Sequence, residues 1–104
     1  TTEIYTLSLH DALPIYCERM YVNSIKSYIG HTLGAAGAMA VVFALNSMEQ
    51  GFIPPTIGLQ EPDPECRVLH PPSSGTEARV ETILINAFAF GGNNTTILLR
   101  KFHG

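Results

Sequence analysis

From Leu33 to Leu45 the chain is an almost unbroken apolar run, relieved only by small residues; it turns polar at Asn46, Ser47, Glu49 and Gln50 and stops at Gly51. The run is too long for an ordinary strand and predicts a helix over residues 32–50. Val41, Val42, Phe43, Ala44 and Leu45 point around its whole circumference, so burial is expected on most sides. Residues 80–88, centred on Ile83-Leu84-Ile85, are apolar on both faces and predict an inner strand covered above and below. Residues 94–102 predict its antiparallel partner, reached through the Gly91-Gly92 turn. Between helix and hairpin, Pro54-Pro55 forces an extended segment. Glu61-Pro62-Asp63-Pro64-Glu65 reads as an exposed turn, Val68-Leu69 as a short strand and residues 71–76 as a loop.

Just ahead of the helix stand Lys26 and His31. The unsatisfied N–H groups of a first helical turn disfavour a protonated imidazole, and a neutral imidazole can donate one hydrogen bond to an oxygen that becomes negative during reaction. The alternative is a histidine that merely satisfies the helix start. Gly34 and Gly37 each cost about 1 kcal/mol against alanine in a helix interior. With Ala35 and Ala38 they form a small-residue face suited to close approach by another element or by a substrate.

Composition changes this picture at one place. Thr1 to Ile15 matches, residue for residue, the translation of a common synthetic sequencing-library adapter, with the join inside Tyr16. Residues 1–15 are therefore expected to be an artefact outside the fold, leaving residues 16–104 as the genuine segment. A signal peptide fits poorly, since Glu3, His10 and Asp11 interrupt any apolar region. Without Glu3 and Asp11, seven of the nine acidic residues remain against six basic ones, a net charge near −1 rather than −3. No basic patch suits nucleic acid, and the apolar run is well short of the roughly 20 residues of a membrane span. A cytosolic segment is expected. Cys17 and Cys66 lack metal-site or disulfide spacing, and no metal or other cofactor is expected.

The stretch Lys26-Ser27-x-x-Gly30-His31-x-x-Gly34-Ala35-x-Gly37, preceded by Asn23-Ser24 and followed by Pro54-Pro55-Thr56, resembles the C-terminal part of a beta-ketoacyl-acyl-carrier-protein synthase. Asn86-Ala87-Phe88-Ala89-Phe90-Gly91-Gly92-Asn93-Asn94 is similar to that family's Asn-Ser-Phe-Gly-Phe-Gly-Gly-x-Asn turn. The resemblance covers residues 22–102. It implies an α/β class: the C-terminal part of a thiolase-like αβαβα fold, incomplete as a domain and torn from a chain several times longer.

It further implies a decarboxylative Claisen condensation between an acyl thioester and malonyl-acyl carrier protein, in fatty acid or polyketide synthesis. His31 and Lys26 are the implied catalytic residues, His31 stabilising an enolate and Lys26 supporting it. Phe88, Phe90, Gly91 and Gly92 are the implied substrate-binding residues. The Phe90 N–H would contribute to an oxyanion hole and its ring would gate the acyl pocket. Ala87 and Ala89 replace the usual Ser and Gly, and Asn93 stands where Thr is common. A methyl at Ala89 would stiffen the gate if positive φ is needed there.

The nucleophilic cysteine lies upstream in such enzymes, and Cys17 is in the wrong place for it, so the segment is expected to be inactive alone. The implied partners are the phosphopantetheine thioesters of an acyl carrier protein and a second subunit, in a homodimer or a ketosynthase heterodimer. A non-catalytic chain-length-factor-like subunit is an alternative that keeping both Lys26 and His31 disfavours. A thiolase fits less well, because Thr32 stands where its proline is expected and no late cysteine accompanies Gly91-Gly92. A small binding module acting alone conflicts with the apolar helix.

Overall fold

The structure, a computed structural model, describes residues 20–104 together with the strand Thr2–Thr6. In chain order the elements are β1 (Thr2–Thr6), β2 (Tyr21–Asn23), α1 (Lys26–Ile29), a 3-10 turn (Leu33–Ala35), α2 (Ala36–Gln50), β3 (Phe52–Ile53), β4 (Thr76–Glu77), β5 (Val80–Phe88) and β6 (Asn94–Arg100). The main sheet runs in the order β2-β1-β5-β6, with β1 parallel to both neighbours and β5–β6 antiparallel. β3 and β4 form a second, two-stranded antiparallel sheet.

β1 belongs to the segment expected to stand outside the fold. Here it pairs on both sides, with Ile4 opposite Tyr21 and Ile83. Such pairing uses only the N–H and C=O groups common to every extended segment. The rest of residues 1–15, and Cys17, lie outside the described residues.

α2 crosses the sheet over β5. Ala44 and Met48 meet Ile53, Val80, Ile83 and Ile85, with Ile97 and Leu99 of β6 packed beside them. The period-2 pleat sends Leu84 to the opposite face, against Met20, Val22 and Val68. β5 is thus covered on both faces, as its apolar middle predicts. α2 stops where Gly51 enters the left-handed region, at φ 63 and ψ 40, with its N–H on the Ser47 carbonyl at 3.0 Å.

Burial of α2 on most sides is not what this chain provides. Among the described residues only Ala44, Ser47 and Met48 of the helix are fully buried, while Val42 and Leu45 remain 52% and 51% exposed. A helix apolar all round needs neighbours all round, and this chain has a sheet on one side only. β6 ends at Arg100 rather than at 102, because Lys101 turns to give its N–H to Glu81 O at 2.8 Å and His103 folds back onto the Glu81 carboxylate. The expected strand at Val68-Leu69 is a single parallel bridge between Leu69 and Tyr21. β4 begins at Thr76, the last residue of the expected loop.

Candidate active site

β2 delivers the chain to Ser24 at the carboxyl end of the sheet, where α1, a single helical turn, places Lys26 and closes on Gly30. Gly30 takes φ +72 as the Gly30 N–H bonds to Lys26 O at 2.8 Å. A left-handed bend there suits glycine, and it swings His31 away from α1. From the other side, the β5–β6 hairpin brings Phe88 to Asn93 to the same end of the sheet.

Between these two walls runs an open groove of about 950 Å³. Lys26, His31, Phe88 and Phe90 line it together, although Lys26 and Phe90 lie 64 positions apart in sequence. Gly91 and Gly92 do not line it. They form the turn behind it at φ 88 and 83, conformations that side chains rarely adopt, and the Ala89 N–H closes the turn on Asn93 O at 2.8 Å. The expectation of strain at Ala89 is not met, since the turn places its positive φ values on Gly91 and Gly92 and not on Ala89.

His31 is exposed, and its Nδ1 accepts the Leu33 N–H at 2.9 Å. A neutral ring that accepts at Nδ1 carries its proton on Nε2, so His31 is a donor at that nitrogen. Leu33 takes φ 53, the one non-glycine in the left-handed region among the described residues. That conformation costs an L-residue about 1 kcal/mol, and the Leu33 side chain stays 79% exposed, so packing does not compensate for it. The hydrogen bond to His31 is the visible compensation.

Gly34 and Gly37 both line the groove, and a Cβ added at either would meet nothing within 4 Å. The close approach expected at these glycines therefore does not come from another described element of this chain. Behind the groove Tyr28 stacks at a tilt on Phe43, 6.0 Å between ring centres, and burial raises its phenol above the ordinary value. Tyr28 donates to Pro55 O at 2.6 Å, so the folded chain needs the protonated phenol.

Pro54-Pro55-Thr56, part of the motif in the sequence, makes contacts that no local pattern reveals. Asn23 Nδ2 donates to Pro54 O at 2.7 Å, and Thr56 Oγ1 accepts the Ser24 N–H at 2.9 Å. The signal was present in the polar residues flanking Lys26, but their partners are some thirty positions away. Among the described residues no three His, Cys, Asp or Glu side chains could hold a metal ion, and no helix is long and apolar enough to cross a membrane.

The beta-ketoacyl synthase C-terminal domain family matches residues 6–60. The chain is 39% identical over 83 residues to 3-oxoacyl-[acyl-carrier-protein] synthase 2 of Coxiella burnetii, covering 80% of this chain and 20% of that protein. It is 42% identical over 80 residues to the tetracenomycin polyketide synthase ketoacyl synthase alpha subunit of Streptomyces glaucescens, covering 77% of this chain and 19% of the other. Among solved structures, a type II polyketide ketosynthase in complex with its acyl-carrier protein and bound to the hexaketide superposes with a TM-score of 0.76 at 33% identity, over 81% of this chain and 21% of that one. The chain thus spans about a fifth of the length of the curated relatives it matches.

Proposed function

We propose, from the premise that this chain belongs to the beta-ketoacyl synthase family through its C-terminal domain, that it is a segment of a condensing enzyme of fatty acid or polyketide synthesis. The observation that carries this reading is His31: its Nδ1 is engaged by the Leu33 N–H, its Nε2 is left as a donor, and it lines the groove that also holds Lys26 and Phe90.

In this mechanism a cysteine from outside the present sequence carries the acyl chain as a thioester. A malonyl thioester on an acyl carrier protein enters the groove. Its carboxylate leaves as carbon dioxide, and the bonding pair stays on the α-carbon, delocalised onto the thioester oxygen. His31 Nε2–H donates to that oxygen as charge develops, with a second histidine from outside the sequence, and the Lys26 ammonium supports the same charge. The α-carbon then attacks the acyl thioester carbonyl, forming the new carbon–carbon bond and releasing the cysteine thiolate. The Phe90 N–H helps hold the oxyanion of that step, and the Phe90 ring, fully exposed at the turn, gates the acyl pocket. Phe88 lines the pocket, and Gly91-Gly92 shape the turn that presents Phe90.

The parent works in the cytoplasm as a homodimer or ketosynthase heterodimer. Residues 1–15 derive from adapter, and residues 16–104 are the ketosynthase segment. Resequencing the source DNA across the codons for Ile15 to Met20 and upstream tests both points. Natural sequence leading back to a cysteine between small residues, and to another histidine, supports the reading. An inert residue at the nucleophile position would move the chain to a non-catalytic partner subunit, and genuine genomic codons for residues 1–15 would remove the adapter origin. The purified chain has no condensing activity on this reading; measurable turnover by it alone would overturn the need for a second part.

A further inference from the structure

Four consecutive residues after β3 each make one hydrogen bond to the loop that bears Lys26. Pro54 O accepts from Asn23 Nδ2 at 2.7 Å, Pro55 O from Tyr28 OH at 2.6 Å, Thr56 Oγ1 from the Ser24 N–H at 2.9 Å, and the Ile57 N–H donates to Ser27 Oγ at 2.9 Å. Ser27 Oγ in turn donates to Ser24 O at 3.0 Å, so one hydroxyl both receives from the segment and closes its own turn. These contacts bracket Lys26 on both sides, at positions 23, 24, 27 and 28, while Lys26 itself stays exposed on the groove.

α1 is too short to hold itself. A four-residue helix closes few internal bonds, has no side-chain cap and buries none of its own residues. Its position must come from outside, and the structure offers these four bonds beside the tilted contact of the Tyr28 ring with Phe43. Two of the four bonds end on the carbonyls of Pro54 and Pro55, whose rings hold φ and lose little freedom on folding. A pre-extended strap is therefore laid along a loop that cannot order itself.

We propose that Pro54 to Ile57 is a splint for the site, with Thr56 and Ser27 as positioning residues that fix α1 and, through Gly30, the register in which His31 receives the Leu33 N–H. This rests on the reading of His31 and Lys26 as the working groups. Thr56 and Ser27 touch neither substrate nor reacting atoms; they act through the loop. Loosening the splint leaves the core of α2 and β5 intact, because none of the four bonds involves either element.

The test uses the 104-residue chain with Thr56→Val and Ser27→Ala, and Thr56→Ser and Ser27→Thr as variants that keep the hydroxyl. The readouts are the nitrogen-15 signals of the His31 ring, which distinguish the Nε2–H form from a mixture of tautomers, and hydrogen exchange at the Leu33 amide. Thermal melting is followed in parallel. Losing one such bond should speed Leu33 exchange about fivefold and average the ring signals toward a tautomer mixture, with melting little changed and the hydroxyl-keeping variants near wild type.

Unchanged ring signals and Leu33 exchange in both Thr56→Val and Ser27→Ala would overturn the proposal. So would loss of cooperative melting in Thr56→Val with melting kept in Thr56→Ser, since the segment would then support the whole fold. The functional reading fails separately, through undiminished turnover of a complete enzyme carrying His31→Ala, which leaves the tautomer result standing.

Discussion

Gly75→Ala tests the packing against β3, the strand that leads into the strap. Gly75 lies at φ +75, and a Cβ there would fall 2.1 Å from Phe52 Cζ, 2.7 Å from Phe52 Cε2 and 3.0 Å from Ile53 O. The left-handed conformation costs an L-residue about 1 kcal/mol. Overpacking adds roughly 1–3 kcal/mol, and the lower end applies if the ring swings out, since Phe52 is already 37% exposed. The contact with Ile53 O is a backbone one that no rotamer relieves, and Ile53 is wholly buried. The sum is about 2–4 kcal/mol, which for a chain of this size lowers the melting temperature by roughly 10–25 °C. Circular dichroism melting of wild type, Gly75→Ala, Phe52→Ala and the double variant forms a cycle. With the ring gone, the alanine at 75 should cost only the conformational part and the remaining contact with Ile53 O, giving a coupling of about 1–2 kcal/mol. A Gly75→Ala chain that melts with wild type, or a cycle without coupling, would refute the packing argument.

A complete enzyme carrying His31→Ala should lose malonyl decarboxylation by about a hundredfold or more while its cysteine still accepts the acyl group, because one donor to developing charge has gone; an assay of carbon dioxide release beside one of acyl loading separates the two. Ile83→Ala, at a position 1% exposed between α2 and the sheet, should destabilise by about 2–5 kcal/mol in urea titration. The Glu81 carboxyl is held below its ordinary value by hydrogen bonds from His103 and from Arg79, each 2.5 Å long. A depressed carboxyl binds fewer protons folded than unfolded, so its contribution is present above the ordinary glutamate range and lost as pH falls through the folded value. Melting followed from about pH 6 to about pH 3 should therefore show a steeper acid loss for wild type than for Glu81→Gln, and parallel profiles would refute the pairing. The Tyr28 phenol, raised by burial, gives the opposite limb: its contribution is present below the ordinary tyrosine range and lost as pH rises through the folded value, so Tyr28→Phe should flatten the alkaline melting profile.

What could be read from the sequence was what depends on neighbours in the chain. The apolar run into Leu45 and the two-faced Ile83-Leu84-Ile85 announce α2 and β5, because period and length are local properties. Gly91-Gly92 announce their turn for the same reason. Which side of α2 is covered depends on what else is present, and Val42 and Leu45 look identical to Ala44 in a pattern. Leu33 gave no warning of its left-handed backbone, since leucine rarely adopts it; only the structure places its N–H on His31. The contacts of the strap join residues 27 to 32 positions apart, and the Glu81 pair with His103 spans 22. No periodicity encodes such distances. Lys26, His31, Phe88 and Phe90 were legible through the resemblance of two separated motifs, and the structure lines one groove with all four.

The strap has a consequence for any map of variant effects. Two of its four bonds end on the carbonyls of Pro54 and Pro55, and a carbonyl is the one acceptor that no codon change deletes. A saturation library would thus find positions 54 and 55 forgiving of whatever keeps the backbone extended, and positions 23 and 28 far less so. Half of the support would be silent to genetics. A reader of such a map would credit the loop around Lys26 with more of its own holding than it does, although part of that holding comes from across the fold through atoms that every allele shares.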